Sequence, residues 1–233
     1  MSGLKAKVLA VGLAAVTAAS VISMGAFATD YKGRSTEESE KRFEVFGVIN
    51  NGNRTFNDDD TLTRGKMTEV LGRIYGYSTS NAGISAEEVF ADVTAETPSY
   101  NWILIAKNNF WVNGDGTTMF RPNDNITEID SVKMLLTMAG YDWLAEKCGG
   151  YPEGYAKAAK ILMLTEETGD LTAEPMKKDK LLKVLNAYLE LYDVSVDDNG
   201  YVRLSGISDR AETTGKMMDG LRLKARNIED PFK

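Results

Sequence analysis

The sequence predicts a mainly α-helical chain built from a repeated helix–loop–helix unit, and three observations predict it. Apolar residues recur at helical spacing in three separate stretches. The same offsets are kept in all three. Each stretch follows a loop rich in Asn, Gly and Asp that a single apolar residue closes. Cys148 is the only cysteine in 233 residues, so packing rather than an internal disulfide has to stabilise the chain.

The first element stands outside the fold. Lys5 and Lys7 precede the apolar run Val8 to Met24, which ends in Ala26-Phe27-Ala28, the small-x-small pattern of a signal-peptidase site. The competing reading, a membrane anchor, needs about 20 apolar residues, and Gly12, Thr17, Ser20 and Ser23 interrupt this run. Residues 1–28 are expected to be a cleaved signal peptide, and residues 29–37 a flexible leader.

The helical stretches begin at Leu62, Ile126 and Met176. Eight, nine and twelve residues later stand Val70, Leu71 and Ile74 in the first, and Met134, Leu135 and Met138 in the second. The third has Val184, Leu185 and Tyr188. Those offsets share one helical face. Thr127 with Asp130 reads as a helix N-terminus, and Thr63 caps likewise. Gly76-Tyr77 and Gly140-Tyr141 follow the first two helices where a left-handed cap places Gly. Upstream lie apolar segments, Phe43 to Ile49, Trp102 to Val112 and Tyr155 to Leu164, then turns at Asn50-Asn51-Gly52, Asn113 to Gly116 and Thr168-Gly169-Asp170. Phe56, Phe120 and Leu171 follow the turns and are expected to plug the core between the two helices of each unit. Beyond residue 194, Val194 and Val196 face Val202 and Leu204 across Asp197-Asp198-Asn199-Gly200, a hairpin signal. A polar helix over 208–224 completes a C-terminal extension of residues 195–233.

Composition excludes much. With no histidine, Ser-His and Cys-His nucleophiles, His-based zinc sites and the commonest neutral-pH base are absent. A net charge of −7 without a basic cluster repels phosphate backbones and anionic lipid, so neither nucleic acid nor a membrane is an expected partner. Asn57-Asp58-Asp59-Asp60 and Asn113-Gly114-Asp115-Gly116 do not fit an EF-hand loop and read as turns. Glu37-Glu38 and Glu166-Glu167 are adjacent, so they diverge instead of converging on a bond. Cys148 reads as a free thiol. No enzyme, catalytic residue, metal or cofactor is expected.

The second copy carries Phe90-Ala91-Asp92-Val93, Trp102, Gly114, Phe120-Arg121-Pro122-Asn123 and Ile126-Thr127. It closely resembles an S-layer homology (SLH) repeat, in which F-x-D-V, a Trp near the start of the first helix, G-x-x-x-G-x-F-x-P-N and I-T-R-A-E recur. The resemblance covers about residues 38–194 as three copies, 38–80, 88–143 and 151–194. It implies a pseudo-threefold bundle that binds a secondary cell-wall polysaccharide, often pyruvylated, in the grooves between repeats. It also implies a secreted location at the cell wall or cell surface.

Arg64 stands at the family's polymer-binding Arg; Glu128 and Lys178 replace it in the other copies. A carboxylate would repel an acidic polymer, and Lys lacks the planar fork of Arg, so one groove or none is expected to bind. The implied ligand-binding residues are Arg64, Asp92, Trp102, Gly114 and Lys178. Each has a plainer reading as well. Arg64 either grips a polymer carboxylate or pairs with Asp58 to Asp60, and Trp102 either stacks on sugar or packs in the core. Asp92 either meets ligand or holds a turn. The alternative for the whole chain is a surface protein that keeps the repeat fold, has lost glycan binding, and associates with itself or a protein partner.

Overall fold

The computed structural model describes residues 33–49, 55–78, 90–114 and 116–191, with two short strands beyond them. The expected signal peptide, the Asn50-Asn51-Gly52 turn, Asp115, the 197–200 turn and the helix expected over 208–224 lie outside the described residues. What is described is mainly α. The helices are α1 (Thr36–Val45), α2 (Arg64–Tyr75), α3 (Tyr100–Asn108), α4 (Glu128–Met138), α5 (Asp142–Lys147), α6 (Glu153–Ile161) and α7 (Lys178–Tyr188). The strands β1 (Val194–Val196) and β2 (Val202–Leu204) pair antiparallel, with Val194 opposite Leu204.

Local chemistry sets the ends of these helices. The Thr63 hydroxyl accepts from the Lys66 N–H at 3.2 Å and the Thr127 hydroxyl from the Asp130 N–H at 3.1 Å, each satisfying a free first-turn donor. Gly76 and Gly140 stand left-handed at φ +82° and +81° after α2 and α4. All nine apolar residues at the shared offsets are buried. Two boundaries differ from expectation. Ser35 and Glu38 form a capping box that starts α1 at Thr36, so Thr36 and Glu37 belong to a helix and not to the leader. The short helix α5 carries too few residues to show a helical period and was not foreseen.

The three caps meet in a ring. The Arg64 N–H donates to the Asp124 carbonyl, Glu128 to Glu174 and Lys178 to Asp60, at 2.9, 2.9 and 2.8 Å. Each bond leads from one copy to the next, and the third returns to the first. Ile126 N–H to Leu62 O and Met176 N–H to Ile126 O reinforce it, and Leu62, Ile126 and Met176 are fully buried.

Helix pairing corrects the expected unit. The first helix of each copy packs on the second helix of the preceding copy: α3 on α2, α6 on α4, and α1 on α7. The plugs therefore do not sit between two packed helices of their own unit. Phe120 is fully buried and Phe56 nearly so, but Leu171 is only partly buried against the core. Where α1 closes on α7, Arg42 Nη1 donates to Asn186 Oδ1 at 2.6 Å and Asn186 Nδ2 donates to Ser39 Oγ at 2.8 Å, both bonds buried.

Candidate functional site

Arg64, Glu128 and Lys178 open α2, α4 and α7 at equivalent places, and each side chain reaches across a seam between copies. Arg64 Nε donates to the Phe120 carbonyl at 2.9 Å, and Nη1 donates to Asp130 Oδ2 at 3.2 Å. Its guanidinium lies 5.1 Å from the centroid of the Phe120 ring. The pairing of Arg64 with Asp58 to Asp60 is thus corrected: its acid is Asp130, in the next copy. At 12% side-chain exposure the group is largely covered, and no described residue takes its Nη2.

The second seam carries the reversed pair. Glu128 Oε2 accepts from Lys180 Nζ at 2.7 Å, Thr172 N at 2.8 Å and Thr172 Oγ1 at 2.9 Å, and only 8% of the residue is exposed. Lys180 occupies the place in its copy that Asp130 occupies in the second. In the third seam that place is Lys66, which cannot neutralise Lys178. Lys178 turns instead to Asp60 at 3.2 Å and Glu40 at 3.6 Å, with Phe56 beneath it. Burial pulls its ammonium down, but the hydrogen bond to Asp60 and the charge of Glu40 outweigh that and hold it above the ordinary lysine value.

A half-open aromatic stands at the Arg64 seam. Tyr151 is 51% exposed and donates its hydroxyl to Asp130 Oδ1 at 3.1 Å. Lys133 Nζ stands 4.7 Å from the Tyr151 ring centroid and 5.8 Å from that of Tyr155, a cation–π arrangement with no carboxylate partner among the described residues. Partial burial and the Asp130 charge push the Tyr151 phenol above its usual value. The seam therefore presents one guanidinium nitrogen, one ammonium and one aromatic face around a fixed carboxylate. Such a set can hold a carboxylate and pack an apolar face.

The remaining expected site residues serve the fold. Asp92 spends both oxygens on the plug loop, accepting from Phe120 N at 2.8 Å and Arg121 N at 2.7 Å, so its turn-holding reading prevails. Trp102 is 6% exposed and lies so close to Gly72 that a Cβ there would sit 2.6 Å from its ring; it packs in the core and is not open to sugar. Gly114 has φ +76°, and a Cβ on it would meet Met119 O at 2.8 Å and Phe90 at 2.9 Å, so the turn requires glycine. Asp59, in the acidic run, turns its carboxylate on Thr61, accepting from its N at 3.2 Å and Oγ1 at 2.6 Å. Asp130, Lys133 and Tyr151 were missed as site residues. The first lies one turn into the capped helix, a signal read only as a capping acid, and Tyr151 comes from the following copy.

No protein-family model matches the chain, and no curated protein matches its sequence. The likeness to SLH repeats accordingly rests on the motif residues themselves.

Proposed function

We propose that the chain is an exported cell-envelope binding module that attaches non-covalently to an acidic secondary cell-wall polysaccharide through SLH-like repeats arranged in a pseudo-threefold bundle. The observation that carries the reading is Arg64, clamped by Phe120 O and Asp130 with Nη2 left over, with Lys133 over the ring of Tyr151, whose hydroxyl bonds the same Asp130. A sugar-borne carboxylate accepts from Nη2 and draws Lys133 off its aromatic seat, while the exposed face of Tyr151 covers the sugar. Lys178 and Glu128 take no part, because the Lys178 charge is shared between Glu40 and Asp60 and Glu128 is an acid already paired with Lys180. Binding runs through one groove.

The test is co-sedimentation with purified cell walls before and after acid extraction of their secondary polymers. Binding is expected to vanish on extraction. It should fall roughly 10- to 100-fold in Arg64→Ala, since a hydrogen bond to a charged group contributes about 1.5–3 kcal/mol. Lys133→Gln, which breaks no ion pair inside the protein, should weaken it in the same direction. Unchanged binding in both variants refutes the mechanism. The second reading, a surface scaffold that has lost glycan binding, is favoured by the internal ion pairs of the other two seams and predicts no sedimentation with either preparation.

A further inference from the structure

We propose that Phe110 and the rings around Trp111 form a second glycan contact, a platform for the apolar face of a sugar ring in the same acidic polymer; the proposal rests on the cell-wall reading above. The ends of α1, α3 and α6 provide the comparison. Each closes with the same pair of bonds: Gly47 N to Glu44 O and Val48 N to Phe43 O, Phe110 N to Lys107 O and Trp111 N to Ala106 O, Met163 N to Lys160 O and Leu164 N to Ala159 O. This is a Schellman motif, whose turning residue is left-handed and usually glycine. The turning residues have φ +67° at Gly47 and +60° at both Phe110 and Met163.

Gly47 shows what the position asks for. Phe110 strains the backbone there, yet it is 78% exposed, so the ring gains little burial in return. An outlier of that kind, with a large apolar group left in water, points to a use outside the fold. Met163 is only partly exposed and makes no such statement.

The surroundings say what the use is. Trp111 follows Phe110 and is buried. Tyr75 and Tyr77 stand against it at centroid distances of 5.1 and 5.9 Å, and each remains more than a third exposed. The Tyr77 hydroxyl donates to Asn109 Oδ1 at 3.0 Å, and Asn109 Nδ2 is anchored on Ile105 O at 2.8 Å, so Tyr77 is held in place. A fixed aromatic surface with a phenol and an amide at its rim suits a pyranose, which has a C–H-rich face and peripheral hydroxyls. Lys107, one turn before Phe110, rests over the Phe90 ring without a carboxylate partner among the described residues. That charge complements an acidic sugar, in a chain that is otherwise net negative.

The test pairs Phe110→Gly with Phe110→Tyr, reading thermal unfolding and sedimentation with walls before and after acid extraction. Phe110→Gly should raise Tm by about 2–4 °C while weakening wall binding at least about fivefold; Phe110→Tyr should bind like the parent. A Phe110→Gly protein that binds walls as the parent does, while Arg64→Ala does not, overturns the platform and leaves the cell-wall reading standing. A parent that binds neither preparation removes both. A lower Tm for Phe110→Gly would make the ring structural and also overturn the proposal. So would loss of self-association in sedimentation velocity with wall binding intact, since the patch would then be an interface between copies.

Discussion

Gly72 lies on the face of α2 that meets α3, and an ideal Cβ placed there falls 2.6 Å from Trp102 Cε3 and 2.7 Å from Cζ3. Carbon atoms at optimal contact stand about 3.5–4.0 Å apart. Gly72→Ala therefore requires the indole, or the whole of α3, to retreat by about 1 Å. Trp102 is buried, with the Arg73 guanidinium over its ring, so it has nowhere to swing. Overpacking of this kind costs about 1–3 kcal/mol, and the rigid ring places this case near the upper end. Against it works the helix propensity of Ala over Gly, about 1 kcal/mol. The balance is a loss of about 2 kcal/mol, or a fall in Tm of about 4–8 °C. The decisive comparison is made in a Trp102→Leu background, read by urea denaturation. With the indole gone, Gly72→Ala should become neutral or stabilising by up to about 1 kcal/mol, because only the propensity term survives. An equal destabilisation in both backgrounds would refute the packing account, and with it the assignment of Trp102 to the core.

Two further predictions concern charge. Glu128 and Lys180 are 10% and 15% exposed, so Glu128→Leu or Lys180→Met alone should destabilise by about 3 kcal/mol, whereas the double variant should lose far less; additive losses in urea unfolding would disprove the coupling. Hydrogen bonds from Ser35, its backbone first and its hydroxyl second, hold the Glu38 carboxyl below its ordinary 4.5. The folded value is the lower one, so the contribution of Glu38 is complete above pH 4.5 and disappears as pH falls through the folded value. The stability gap between Glu38→Gln and the parent should therefore narrow as pH falls below 4.5, and a gap independent of pH there would disprove the assignment.

The buried helical face was legible because a helix has one period and burial follows it: all nine residues from Val70 to Tyr188 at the shared offsets lie inside. Caps were legible where a hydroxyl marks them, at Thr63 and Thr127, and α7 escaped that signal because Lys177 has no oxygen to offer. Partners across seams were not legible. A period says which face is buried but not against which helix. Asp58 to Asp60 lie next to Arg64 in the chain, yet the guanidinium chooses Asp130, 66 residues away, because α2 opens toward the next copy. The first helix of the first copy was read from Phe43. The matching helix ends make Ser39, a polar residue, the counterpart of Trp102 and Tyr155, so the apolar signal starts late there. The same misplacement hid Phe110: the series Gly47, Phe110, Met163 becomes visible only once the three first helices are aligned at their ends.

The seams differ in a way that fixes their order. Where α2 presents Gly72 to Trp102, the equivalent place on α7 is Asn186, bonded to Ser39; on α4 it is Leu136, on the helix that packs against α6, where Tyr155 is the counterpart of Trp102. Against α7, Trp102 would meet an amide where it now meets a hydrogen atom. The charges make the same demand: Arg64 with Asp130 and Glu128 with Lys180 are opposite in sense, and exchanging their partners would bring Arg64 to Lys180 and Glu128 to Asp130. Like charges in a largely covered site are strongly unfavourable, which rejects wrong pairings without adding to the right one. The third seam, with Lys178 and Lys66 at the two places, is satisfied only because Asp60 and Glu40 enter from the loop and from α1. A ring of three cap-to-loop backbone hydrogen bonds thus carries three unlike interfaces, and under the proposed function the divergence that specifies their sequence also makes them unequal toward a ligand. Of the three leading side chains, one is a carboxylate closed in by Lys180 and Thr172 and one an ammonium held between two acids. Arg64 alone brings a planar guanidinium, with Nη2 left over after its internal bonds are made, which is why a single groove is the one to mutate first.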